Sequence, residues 1–414
     1  MLIDKIRITI YFLLSYFFIL LNFFVKIRFQ ELETRNIGHF SKSIEVYLSE
    51  VELGIQKKYR LDFWIRNKKV ANKYLLKQLK KHLNIIHPRI MLGFLYYLKK
   101  KKFNKLIIPY KHPSSYIEKE WHFVDSKLFK NLDQWHFYDN RKVLIKTKPK
   151  IILPEKDKKF FNNILIKELK TTSLKKIVLF YGRDPIYRKL QHNIRNIDTM
   201  NYRNTDVNTY KISIENISKK GYISIRMGRN VEKKLLPNTK NFFDYSNSEI
   251  ASDELDLYLS SICEFGIFDS GGFNSLPCLF RKPLALVNIA HLREIKNRSD
   301  GTTPLIIFKK IFSTKLNRIL NFSEYESFRV YQNILDSDFE KNNLKLIDNT
   351  PEEILDLTLE AEKKFNLKEY YDISKEEKEI QIEAKKILGK LNYGDLTKID
   401  IGHKFLLKNI NLIK

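Results

Sequence analysis

The stretch "FGIFDSGGFNS", residues 265 to 275, holds the only Gly-Gly pair in a chain with 13 glycines among 414 residues. That is about half the usual glycine share of roughly 7%. The apolar run reads as a buried strand that ends in Asp269, Ser270, Gly271 and Gly272, with a helix start just beyond. Two residues without Cβ let an anion approach the main chain, and consecutive backbone N–H groups form a concavity that binds anions. The helix N-terminus adds positive potential, and Ser270 and Asn274 can donate from their side chains. This chemistry suits a diphosphate. The structural alternative is a tight strand-to-helix turn that needs glycine for geometry alone.

Further strand ends in the same half carry related residues. "KKIVLFYGRD" ends in Arg183 and Asp184, "GYISIRMGRN" ends in Arg226 and Gly228, and "NFFDYS" ends near Asp244. Arginines at equivalent strand ends can neutralise phosphate by forked hydrogen bonds. Asp184, Asp244 and Asp269 can hold ribose or sugar hydroxyls, or simply cap turns. In the first half, "RNIGHF" places Arg35, Gly38 and His39 after a strand. A histidine there is a suitable general base for an acceptor hydroxyl, and a structural histidine is the alternative. "DSD" at 336 to 338 has the spacing of a metal-diphosphate motif, but no convincing buried strand precedes it. The chain has no P-loop and no G-x-G-x-x-G, which argues against an ATPase or a dehydrogenase.

These residues need strands and helices to hold them. "VKIRFQELE" and "YRLDFWIRN" read as strands. A polar turn through Gly38 is expected before a helix near Ser43 to Glu50, and "KKVANKYLLKQLKKHL" reads as another helix on the spacing of Val70, Tyr74 and Leu75. In the second half, strands alternate with helices. "SDELDLYLSSI" carries a Ser252 N-cap, first-turn acids and an apolar face of Leu255, Tyr258, Leu259 and Ile262. This pattern predicts a doubly wound parallel sheet, whose ligands bind at the carboxyl ends of the strands. Thr350-Pro351 opens a run of charged helices.

Length predicts two domains. The expected division is an apolar segment over 1–25, a Rossmann-like domain over 26–155, a second one over 156–350 and a helical tail over 351–414. The chain carries 75 Lys+Arg against 48 Asp+Glu, a net +27, which favours anionic partners. Cys263 and Cys278 have neither disulfide-framework nor zinc-site spacing and read as core residues in a reducing compartment. Residues 8–25 run without a charge, at the lower edge of what spans a bilayer. Basic residues flank both ends, so orientation is undetermined, and no signal-peptidase site follows.

Larger blocks resemble a family of bacterial glycosyltransferases encoded among surface-polysaccharide genes. They are "RNIGHF" with "EVYLSE", "GRDPIY", "RNTDVNTYKISIENISKKGYISIRMG", "FDYSNSEIASDELDLYLSSICEFGIFDSGGFNSLPCLFRKPLALVN" and "IGHKFLL". Within them the Arg-x-x-Asp-x-x-x-Tyr element is Arg203, Asp206 and Tyr210, and Arg-Met-Gly is Arg226 to Gly228. The resemblance implies a GT-B-like α/β fold of two Rossmann-like domains, with a nucleotide-sugar donor held mainly by the second and no metal or other cofactor. "FYGRD" is also similar to the His-x-Arg strand end of fucosyltransferase-like enzymes, which carries a diphosphate contact onto Arg183. Tyr181 stands in place of that histidine, so the likeness stops short of a fucose donor. The ribose-binding glutamate that many GT-B enzymes place after the glycines is absent from "GGFNSLP".

The expected partners are the donor, a glycan or lipid-linked acceptor and the membrane surface, on the cytoplasmic side of the inner membrane. No nucleic acid is expected. The alternatives are a nucleotide-sugar 2-epimerase, with a similar turn, and a membrane-tethered nucleic-acid-binding protein resting on charge alone.

Overall fold

A computed structural model describes residues 2–87, 89–110, 136, 139–174, 176–186, 197–290, 303–328, 330, 335–367, 372–391, 396 and 399–414. The chain divides into two compact units, Met1–Ile152 and Leu153–Lys414.

The first unit starts with the apolar run, which forms helix α1, Leu2–Phe24. Strand β1, Ile27–Leu32, lies parallel to β2, Leu61–Arg66, and β2 lies parallel to β3, Asn84–Ile86. Helix α2 spans Ile37–Glu52, and α3 spans Lys73–Leu79. The turn expected through Gly38 is shorter than the sequence pattern suggests: Asn36 is the N-cap, and Gly38 and His39 already lie in the first turn of α2. Val70 likewise falls outside α3, because the Asn72 side chain accepts from the Leu75 N–H and fixes the start there. Helix α4, Arg89–Lys100, packs against α1 and β1 around Phe29, Phe94, Leu95 and Leu98.

The second unit opens with α5, Glu155–Leu169. Its strands are β4, Ile177–Tyr181, β5, Ile223–Arg226, β6, Phe242–Phe243, β7, Phe265–Phe268, β8, Leu284–Ile289, and β9, Leu305–Phe308. Strands β7 and β8 are buried throughout, and apart from Asn288 in β8 they carry no polar side chain, as suits strands covered on both faces. Beyond Lys309 the chain enters an antiparallel sheet of β10, Lys310–Ser313, β11, Arg318–Ile319, and β12, Leu344–Ile347. Strand β13, Asp400–Ile401, then pairs parallel with β9. The segment after Thr350 is therefore not only helical, since it returns a strand to the main sheet.

The main sheet runs β13-β9-β8-β7-β4-β5-β6, all parallel. From β4 the chain winds outward through β5 and β6, then crosses back to place β7 on the other side of β4. That is the doubly wound order, with its switch point between β4 and β7. Helix α6, Lys211–Lys219, follows the β4 region, and α7, Asp253–Ile262, leads into β7 with Ser252 accepting from Leu255 N–H as its N-cap. Two parallel-sheet α/β units in one chain are the make-up read from the sequence.

Candidate functional site

The register fixes the site. Tyr181 pairs with Phe268 across β4 and β7, so both strands end together at the switch point, delivering Gly182-Arg183 from one and Asp269-Ser270-Gly271-Gly272 from the other. Asp269 is fully buried. Its carboxylate accepts from the Arg183 N–H and, at 2.8 Å, from the Gly271 N–H. Burial pushes this carboxyl up against the pull of those donors. Asp269 thus staples the two strand ends together and builds the turn. The sugar-holding role open to it in the sequence would require an exposed carboxylate.

Glycine at 271 is required by an aromatic neighbour. A Cβ there would stand 2.3 Å from Tyr181 Cε1, and one at Gly228 would stand 3.8 Å from Tyr181 Cδ2. The Tyr181 ring also stacks on Phe273, with centroids 5.2 Å apart. Gly271 therefore answers to packing, whereas Gly272 is exposed. Gly228 has φ of +131°, a region open to glycine. Asn274 is buried and turned inward, its Nδ2 donating to the Asp269 carbonyl at 3.1 Å. Ser270 is buried too, and its Oγ accepts from Arg203 Nε at 3.4 Å.

The segment 200–206 lies over these strand ends. Arg203 Nη2 donates to the Ser270 carbonyl at 2.7 Å, and Arg183 Nη1 donates to the Met200 carbonyl at 3.1 Å. Thr205 N–H donates to the Arg183 carbonyl at 3.3 Å, and Asn288 Nδ2 donates to Thr205 Oγ1 at 3.3 Å. Lys309 Nζ donates to the Asn204 carbonyl at 3.0 Å and pairs with Asp348 at 2.6 Å. Tyr210, fully buried, donates to the Tyr181 carbonyl at 3.0 Å. A Cβ on Gly182 would meet Val207 at 3.1 Å and Tyr210 at 3.3 Å, so close cover by these two residues explains that glycine.

Arg226 and Asp244 meet, but inside the protein. Arg226 is almost wholly buried; its Nη1 donates to the Lys233 carbonyl at 2.6 Å and to Asp244 Oδ2 at 3.1 Å. Arg226 Nη2 has no hydrogen-bond partner among the described residues. Asp244 also accepts from Ser246 Oγ and from Asn247 Nδ2 at 2.8 Å. Asp184 caps its own turn, accepting from Ile186 N–H at 2.9 Å and from Glu232 N–H at 3.0 Å. Asp206 caps the short turn that follows it, accepting from Asn208 N–H at 3.2 Å. The "DSD" motif is structural: Asp336 accepts from Asn201 N–H at 2.8 Å and Tyr202 N–H at 2.9 Å, and Asp338 accepts from Leu335 N–H at 2.9 Å.

In the first unit, Arg35 folds back on buried Glu33, with Nη2 2.6 Å from Oε2. Burial pushes the Glu33 carboxyl up while Arg35 draws it down. Asn67 Nδ2 donates to Glu31 at 2.8 Å, so acids line the end of β1. Gly38 is buried in the first turn of α2, and His39 is half-buried beside it.

Sequence reasoning from single motifs missed Thr205, Asn288 and Lys309. The one polar residue in the apolar run "LALVNI", Asn288, was the available signal; it sits near the end of β8 with φ of +53°, which asparagine tolerates better than most residues. Its N–H and Oδ1 pair reciprocally with Asn349 at 2.6 and 2.7 Å.

Neither a protein-family model nor a curated protein matches the chain. Among solved structures it is similar to the glycosyl transferase family 9 protein from Veillonella parvula DSM 2008, at 9% identity over 83% of this chain and 98% of that one, with a TM-score of 0.42. It is similar to the E. coli ADP-heptose lps heptosyltransferase II at 11% identity over 63% of this chain and 84% of the other, with a TM-score of 0.37. The wall teichoic acid polymerase TagF gives 12% identity over 63% and 70%, with a TM-score of 0.27.

Proposed function

We propose that this chain is a glycosyltransferase that moves a hexosyl group from a nucleotide-sugar donor to a lipid-linked or growing surface glycan, of the capsule or O-antigen kind. One observation carries the reading: the switch point of a doubly wound sheet, between β4 and β7, holds two arginines, Arg183 and Arg203, at a turn ending in exposed Gly272. Ligands of such sheets bind at that crevice. As the glycosidic bond to the donor breaks, negative charge gathers on the departing diphosphate. Guanidinium groups already in place there stabilise the transition state more than the ground state. Because side-chain cations do this work, activity should survive a chelator.

The acceptor hydroxyl must lose a proton, and His39 is the side chain proposed to take it. Asp184, an alternative from the sequence, already spends both carboxylate oxygens on backbone N–H groups.

The test is thermal unfolding of the purified full chain with UDP, GDP, dTDP, ADP or CMP. A ligand at 100 times its Kd stabilises by about 2.7 kcal/mol, a shift of several degrees. One base should shift the midpoint, and its nucleotide sugars should then be turned over on adding a glycan acceptor. No shift with any nucleotide, in a protein that melts cooperatively, would sink the reading.

A further inference from the structure

Helix α1 has two apolar faces, and only one is used by the protein. The inward face is Tyr11, Leu14, Ser15, Phe18 and Asn22, at three-to-four spacing. Tyr11 packs on Phe94 with centroids 5.9 Å apart, and Phe18 packs on Phe29 at 5.1 Å. A Cβ on Gly93 of α4 would stand 2.4 Å from Tyr11 Oη, so the sequence makes room for this contact. Asn22 closes the end of the helix onto β1: its Nδ2 and Oδ1 bond the carbonyl and the N–H of Ile27, both at 2.9 Å. The outward face is Ile6, Ile10, Leu13, Phe17, Leu20 and Phe24, each between 42% and 87% exposed. A helix on a wet surface carries polar residues on that side. From Ile8 to Val25 this one carries no charge.

The helix cannot cross a bilayer in this fold. Its inward face touches the unit from Tyr11 to Asn22, a flank of roughly 17 Å. Spanning would drag β1 and its three-stranded sheet into hydrocarbon, where a sheet that does not close and the Arg28–Asp62 pair at 2.7 Å have no place. Lying flat, the helix satisfies both faces. Ile90 and Tyr96 of α4 are exposed as well. Charge identifies the partner: residues 5–30 and 84–110 contain no Asp or Glu, while Lys5, Arg7, Lys26, Lys100, Lys101, Lys102 and Lys105 are exposed. Basic groups beside an apolar stripe suit an anionic bilayer, with about 1 kcal/mol per cation near the surface.

We infer that α1 lies in the plane of an anionic membrane as a monotopic anchor, with its Ile6-to-Phe24 stripe in the acyl boundary and both of its ends on one side. This is independent of the reaction proposed above. The full chain is made in a bacterial host as Lys5→Cys and, separately, as Lys26→Cys, and both vesicle orientations are treated with a membrane-impermeant maleimide. Native Cys263 and Cys278 are buried. Both new thiols should be modified from the same face. Modification from opposite faces means a spanning helix and overturns the proposal, as does loss of residue 5 by cleavage. Leu13→Lys with Phe17→Lys should lower binding of the purified chain to phosphatidylglycerol vesicles at least about tenfold with an unchanged melting midpoint. Phosphatidylcholine vesicles should bind the parent weakly. Undiminished binding of the double variant, or equal binding to both lipids, would equally overturn it.

Discussion

The strand ends of the two units differ in the sign of what they gather. In the first unit, β1 runs into Glu31 and Glu33, and the nearby arginine, Arg35, is bound to Glu33. In the second, the ends of β4 and β7 receive Arg183 and Arg203, whose guanidiniums donate to the neutral carbonyls of Met200 and Ser270. A carboxylate partner offsets a guanidinium's charge, whereas a carbonyl fixes its position; the buried Asp269 carboxylate also feels the Arg183 charge. The same element, a parallel strand opening into a loop, thus carries an arginine bound to a carboxylate in one unit and arginines seated on carbonyls in the other, where the proposed function would place the diphosphate.

If the two edges divide the work, breaking one should leave the other's function standing. His39→Ala should lower kcat by roughly 100- to 10,000-fold while nucleotide affinity, read by titration, stays at the parent value. Arg203→Ala should do the reverse at the binding step, weakening nucleotide affinity by roughly 10- to 100-fold, as expected for a lost charge-assisted hydrogen bond. Arg35→Ala, in the acid-lined edge, should leave that affinity unchanged. Equal losses for Arg203→Ala and Arg35→Ala would erase the distinction.

A smaller effect tests how the second edge is built. Gly271→Ala forces a Cβ against the Tyr181 ring and should cost about 1 to 3 kcal/mol in thermal or urea unfolding. Tyr181→Ala added to it should recover part of that loss, because residues in contact do not contribute independently. Additive losses would show that Gly271 answers to something other than the ring.

An effect confined to one range of pH concerns the far edge of the same sheet, where an acid is overcompensated. Burial alone would raise the Asp400 carboxyl, but Lys364 and Lys385 outweigh it and hold it at about 2 against an ordinary 3.8. A depressed carboxyl contributes stability that is present above pH 3.8 and lost as pH falls through 2, about 2 kcal/mol in all. Asp400→Asn should therefore lower the melting midpoint at pH 7 and have little effect near pH 2.

Much of the second unit was legible because its strands are apolar runs broken by glycine and charge, and the Ser252 cap and the Thr350-Pro351 helix start are local signals. The site was legible in position but not in orientation. Asp269, Asn274 and Arg226 were recognisable as strand-end polar residues, yet which way they turn depends on partners far away in sequence, such as Arg183, Tyr181 and Lys233. Gly38 and His39 looked like a turn because glycine usually marks one, and only the Asn36 cap shows the helix starting earlier. The short β13, two residues long, has no periodicity to read.

Hydrogen exchange with and without the nucleotide that shifts the melting midpoint tests the central claim most directly. Exchange should slow at residues 182–184, 203–206 and 269–274 and stay unchanged at 33–39. Protection confined to 33–39, or absent from the β4 and β7 ends while nucleotide is bound, would contradict it.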